Sequence, residues 1–226
     1  MTTLYEVRQD SLCTLSDGNT PPVPMTRMGF PAYMDKWDMF ALAGRMFNLK
    51  QATIGTALTF SAAAEAGIVL TAPSVRFTVP TGVTIFPRRL NLALVPGATS
   101  VDNEIALIYT AADSYTSGGT AATPLNWRPD NPRATSVTNC VYASGSAITE
   151  AALTSVRVLY QEIHAVAAAF ATSYELAVNK EVVWEELVPI VGPSSVLLFV
   201  SAKTAAITGY FSMDWAEVQT TNVKAG

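Results

Sequence analysis

From about residue 50 onward the chain consists of short runs of β-branched, aromatic and aliphatic residues, each closed by turn residues. This punctuation constrains the fold more than any other feature of the sequence. The runs span 53–60, 68–71, 74–79, 88–95, 104–110, 136–143, 156–166, 169–176, 181–187, 196–201 and 206–218. Between them stand breakers such as Pro80-Thr81-Gly82 and Pro96-Gly97, whose backbone preferences favour turns. Alternation is clear in Arg88-Arg89-Leu90-Asn91-Leu92-Ala93-Leu94, which sets Leu90, Leu92 and Leu94 on one face of a strand. In the last run Phe211, Met213 and Trp215 face one way, and Tyr210, Ser212, Asp214 and Ala216 the other. Many short strands with turns between them predict an all-β chain, an antiparallel β-sandwich or barrel. The Ala-rich text of 161–177 suits a strand and a helix equally.

The first 31 residues are of another kind. Pro21-Pro22-Val23-Pro24 and Gly29-Phe30-Pro31 fix φ, remove ladder donors and push the preceding residues to extended backbone. This predicts an extended arm, and Leu4, Tyr5, Leu12, Val23, Met25, Met28 and Phe30 make it a strap for its own domain or for a neighbour. Within 35–47, Trp37, Phe40, Ala41 and Gly44 recur at i, i+3, i+4 and i+7, the spacing of a short amphipathic helix. The chain therefore divides into residues 1–49, arm plus helix, and residues 50–226, the sandwich.

Charged residues make up 14% of the chain, against roughly 25% in an average domain. Either Thr, Ser and Ala form much of the surface, or partner subunits cover part of it. The net charge is −4 and no cationic run exceeds Arg88-Arg89, which argues against nucleic acid. Cys13 and Cys140 have no CxxC partner, and with His164 they fall short of a four-ligand zinc site, so free thiols are expected. No apolar stretch reaches the roughly 18 residues of a membrane span, and the start lacks a signal-peptide pattern. The expectation is a protein made in the cytoplasm and not exported by the usual route.

Chemistry-bearing patterns are weak. Ser194 or Ser195 with His164 and Asp214 would supply a triad, but none sits in a positioning motif such as Gly-x-Ser-x-Gly. Glu185-Glu186, and Asp214 with Glu217, are acid pairs that read as solvated strand ends. Asp130-Asn131 is too sparse for calcium, and Ser117-Gly118-Gly119-Thr120 lacks the lysine of a phosphate loop. The expectation is no enzyme, no cofactor, no metal and no small-molecule substrate. The long connection 117–132 holds Trp127 and Arg128, residue types common at interface centres, though packing against their own domain is open too.

Several stretches resemble jelly-roll structural proteins of tailed bacteriophages. They are Val79-Pro80-Thr81-Gly82-Val83, Leu90–Leu94, and Gly118-Gly119-Thr120-Ala121-Ala122-Thr123-Pro124-Leu125-Asn126. Val188-Pro189-Ile190-Val191-Gly192-Pro193-Ser194-Ser195-Val196-Leu197-Leu198 and Gly209-Tyr210-Phe211-Ser212-Met213-Asp214-Trp215-Ala216-Glu217 complete the set. The resemblance covers about residues 65–218. It implies a jelly-roll-like sandwich and a virion protein on the capsid surface, a cement or decoration protein that clamps the major capsid protein as a homotrimer. A jelly-roll major capsid protein, a tail or fibre component, and a glycan- or receptor-binding module are the alternatives. Subunit contacts are then expected at Pro22, Val23, Met25 and Phe30 of the arm. Trp37 and Phe40 of the helix, and Trp127 and Arg128 of the long connection, join them.

Overall fold

The computed structural model describes residues 35–50, 57–61, 67–96, 101–130, 133–143, 147–166, 178–202 and 207–223. The arm, with Pro22, Val23, Met25 and Phe30, and the run 169–176 lie outside the described residues.

The chain starts with helix α1 (Lys36–Leu42), then β1 (Met46–Lys50), β2 (Leu58–Ser61), β3 (Val75–Val79) and the long β4 (Val83–Pro96). It continues through β5 (Val101–Thr110), β6 (Tyr115–Gly118), β7 (Thr120–Ala121), β8 (Leu125–Asn126) and β9 (Thr138–Tyr142). Next come β10 (Ile148–Glu150), β11 (Arg157–Val166), β12 (Val178–Val183) and β13 (Ile190–Val191). The last strands are β14 (Ser194–Ala202) and β15 (Ile207–Gln219).

Two antiparallel sheets carry the fold. The first runs β12-β4-β15-β1-β8, with β13 on β4 and β2 on β15; the second runs β11-β5-β14-β3-β9-β7. The pairs are nested: β1 with β15, β3 with β14, β4 with β12, β5 with β11. Successive strands going in pair with successive strands coming back, and alternate pairs enter alternate sheets. This is the double Greek key of a jelly roll.

The alternation read from sequence sets the inner faces. Leu90, Leu92, Leu94, Phe211, Met213 and Trp215 of the first sheet meet Val75, Phe77, Val79, Ile105, Leu107 and Val196 of the second in one core. Trp215 bridges the layers, with ring centroids 5.0 Å from Phe77 and 6.4 Å from Phe47. Deleting such a ring costs about 3–5 kcal/mol.

Several boundaries differ from the sequence reading. The helix ends at Leu42, and Met46-Phe47 belong to a strand. Its end is a Schellman motif: Arg45 N–H donates to Phe40 O, Gly44 N–H to Ala41 O, and Gly44 sits at φ +63°. The domain boundary at 49/50 falls inside β1, which pairs along β15 from Met46 to Lys50, so helix and strand are part of the sandwich. Residues 68–71 form a turn rather than a strand, and β12 stops at Val183 instead of reaching 187. Of the ambiguous stretch 161–177, residues 161–166 are strand.

β4 starts five residues before its expected first residue, because Pro87 lies in a bulge. There Asp214 faces Arg89 and Trp215 faces Pro87, leaving Arg88 as the extra residue. A proline is tolerated at such a point, where a ladder donor is dispensable.

Candidate functional site

Two corners of the outer surface concentrate the polar and aromatic side chains. On the first sheet, α1 lies across β15 and β4 and buries Trp37 and Phe40 against Met46, Phe86, Ala216 and Val218. Phe40 stacks on Phe86 with centroids 6.0 Å apart. Trp37 and Phe40, expected at a subunit contact, are therefore interior. Their helical spacing turns them onto their own sheet, which this covered face requires.

The bulge projects Arg88 outward between two indoles. Its guanidinium carbon is 4.7 Å from the ring centroid of Trp127 and 5.9 Å from that of Trp37. Beside it Asp214, almost fully buried, accepts from Asn48 Nδ2 at 2.5 Å, Arg89 Nε at 3.0 Å and Trp127 Nε1 at 3.3 Å. The loop after β8 is held closely. Asn126 Oδ1 accepts Arg128 N–H in an Asx turn, and Asn126 Nδ2 donates to Gly44 O. Arg128 Nη1 donates to Leu42 O at the helix C-terminus, and its fork grips Asp130, whose carboxyl it holds below the usual range. Trp127 keeps 37% of its surface exposed, near exposed Leu42 and Leu125. Of the candidate contacts within the described residues, Trp127 and Arg128 remain at the surface.

The second corner is one that sequence reasoning missed. Arg76 and Thr78 point outward from β3, yet Arg76 is fully buried beneath the 111–115 segment and β10. Its Nη2 meets Asp113 Oδ1 at 3.0 Å and Ser195 Oγ at 2.8 Å, and its Nη1 donates to Thr78 Oγ1 at 2.9 Å. Its Nε lies 2.8 Å from Glu150 Oε1, an ion-pair contact off the line of a hydrogen bond. The ring of Tyr115 packs 4.6 Å from the guanidinium carbon, and Ser114 Oγ donates to Glu150 Oε2. Burial raises the Glu150 pKa, and the opposing Ser114 and Arg76 contacts do not offset it. Burial also works on Asp113, but the Tyr115 N–H, Arg76 and Thr78 hydrogen bonds outweigh it and hold that carboxyl below its ordinary value. In sequence Arg76-x-Thr78 looks like the solvated face of a strand; only the fold shows what lies above it.

The imagined triad does not assemble. Ser195 lies on the outer face of the second sheet with Arg76 and Asp113, whereas Asp214 lies on the outer face of the first, and His164 is on β11 opposite Asn103. Asp214 and Glu217 face opposite sides of β15. Glu217 points inward and accepts from Trp215 Nε1, Ser136 N–H and the Thr135 hydroxyl. Gly118, at φ +90°, begins the Gly-Gly turn between β6 and β7, where a Cβ would lie 1.9 Å from Ala147 O. Among the described residues no helix is long and apolar enough to cross a membrane, and no group of three or more His, Cys, Asp or Glu is placed to hold a metal.

The remaining surface feature is an edge. β11 and β12 end their sheets on the same side of the sandwich, tied to each other by the Lys180–Glu162 ion pair. Val158 is 58% exposed and Ile163 64%; Val156 just before β11, Val183 at the end of β12 and Leu187 beyond it are exposed too. Natural edge strands usually carry charges or prolines that deter pairing, and Val158 and Ile163 stand out against that pattern. No protein-family model, curated protein or solved structure matches this chain.

Proposed function

We propose that this chain is a virion structural protein, a capsid cement or decoration protein that bridges capsid subunits as an oligomer, with a homotrimer as its unit. The observation that carries the reading is a filled jelly-roll interior beside apolar side chains left exposed on the surface, Leu42, Leu125 and Trp127 among them. The interior is occupied by Phe77, Phe211, Trp215 and their neighbours, so it is a packed core rather than a ligand chamber. The polar clusters are spent on holding loops to the sheets. A fold built this way acts through its surfaces. Low charge suits burial of those surfaces against a major capsid protein, and nothing in the charge pattern suits nucleic acid.

A second reading, a shell-forming jelly-roll capsid protein, is favoured by the nested eight-strand topology, an architecture common in viral capsids. Light scattering and electron microscopy of the purified full chain separate the two. Discrete trimers, or small multiples of trimers, support the cement reading. Closed shells support the capsid reading. A chain that stays monomeric and binds no capsid overturns both.

A further inference from the structure

We infer that β11 is a self-complementary edge, and that a second copy of this chain pairs with it antiparallel about a two-fold axis centred on Gln161. Among the described residues β11 ends its sheet, pairing with β5 and presenting its other backbone edge unpaired. The ladder steps from Val158 opposite Ile108 to Tyr160 opposite Leu107, so Leu159 is the extra residue of a bulge. That bulge changes the phase of the strand. Val158, Gln161 and Ile163, opposite Ile108, Ala106 and Glu104, thereby share the outer face.

Set a second β11 against this edge with Gln161 opposite Gln161. With Leu159 passed over as the bulge residue, Val158 and Ile163 each stand two ladder positions from Gln161, so Val158 lies against Ile163 of the second copy, and Ile163 against Val158 of the second copy. The two most exposed apolar side chains of the strand cover each other in both halves of the contact. On the inner side Tyr160 meets Glu162 of the second copy, the same two side chains that hydrogen-bond within one chain. Glu162 is the only charged residue between Val158 and Ile163, and no like charges are opposed. Centring on Glu162 instead would set carboxylate against carboxylate. Apolar and charge complementarity thus select one register, and an isologous contact requires such self-matching. The pairing would join two six-stranded sheets into one and complete the exposed ladder of each.

The contact does not depend on the virion reading, and it is compatible with trimers formed elsewhere, since pairing then doubles a trimer. The test uses the full chain and its Ile163→Lys variant, compared by light scattering. Ile163 is largely exposed, so the variant should fold, with circular dichroism as the check. The expected result is an even number of chains for the native protein and half that mass for the variant. A second measurement fixes the register. In a Cys13→Ser background, where the other thiol, Cys140, is buried, Gln161→Cys should give a disulfide-linked dimer on mild oxidation. Val158→Cys alone should not, and Val158→Cys with Ile163→Cys should. An odd native mass, an Ile163→Lys variant of unchanged mass, or no Gln161→Cys cross-link overturns the proposal. Halving of mass without capsid binding leaves this contact standing and removes the virion function alone.

Discussion

Arg76 Nε and Glu150 Oε1 lie 2.8 Å apart with both side chains fully buried, although 73 residues separate them in the chain. The pair fastens β10 to the outer face of β3. Removing one partner of such a pair leaves an uncompensated charge in a low-dielectric site, and costs more than the pair itself contributes. Arg76→Met should lower the unfolding free energy by about 3–5 kcal/mol. Adding Glu150→Gln to that variant should recover part of the loss. Urea titration of the single and double variants checks both statements, and a double variant no better than the single would contradict the coupling.

The two carboxylates around Arg76 should respond to pH in opposite senses. Asp113 is held below its ordinary 3.8, so its contribution is present above that pH and is lost as pH falls through the lower folded value. Because its side chain is 40% exposed, Asp113→Asn should cost about 1 kcal/mol or less at neutral pH, fading in acid. Glu150 is raised above 4.5, so its contribution is full below that pH and is lost as pH rises through the folded value. Relative to the native chain, Glu150→Gln should therefore gain stability as pH climbs from 4.5 toward neutral. Denaturation curves across that range give the slope, and parallel pH profiles for the two proteins would refute it.

Gly44 closes α1 at φ +63°, where a Cβ crowds the following carbonyl oxygen. Gly44→Ala should cost about 1–2 kcal/mol. The loss should appear in the melting temperature without change in the β-sheet circular dichroism.

Cys140 is buried in the core, and burial, with nearby Glu217, pushes its thiol up to about 12. In a Cys13→Ser background it should resist a disulfide reagent at pH 8 and react only as fast as the chain unfolds. With the folded value above the ordinary 9.0, Cys140 should also take stability away as pH rises from 9.0 toward 12. Rapid labelling in native buffer would show that the thiol is accessible.

What could be read along the chain was local and periodic. Leu90, Leu92 and Leu94, like Phe211, Met213 and Trp215, lie inward because side chains alternate along any strand, and that period survives without knowledge of partners. Pro80-Thr81-Gly82 ended a strand for the same kind of reason. The sandwich and its short helix were legible from such signals.

The sites were not, because each depends on what a second segment places above the first. Trp37 and Phe40 carry the spacing of a helix that could dock on any apolar face; the sheet under α1 turned them into core. Arg76 and Asp214 sit at outward positions that alternation assigns to solvent, and loops arriving from 111–115, 148–150 and 126–128 bury them. The bulges at Arg88 and Leu159 shift which side chains share a face, and the alternation of one strand does not reveal a bulge before its ladder partner is known. The sequence by itself determined strand, face and turn, which follow from covalent geometry over a few residues. Tertiary structure alone decided the nesting of the sheets, the buried ions and the place of β11 at the end of its sheet among the described residues, which follow from contacts between residues far apart in the chain.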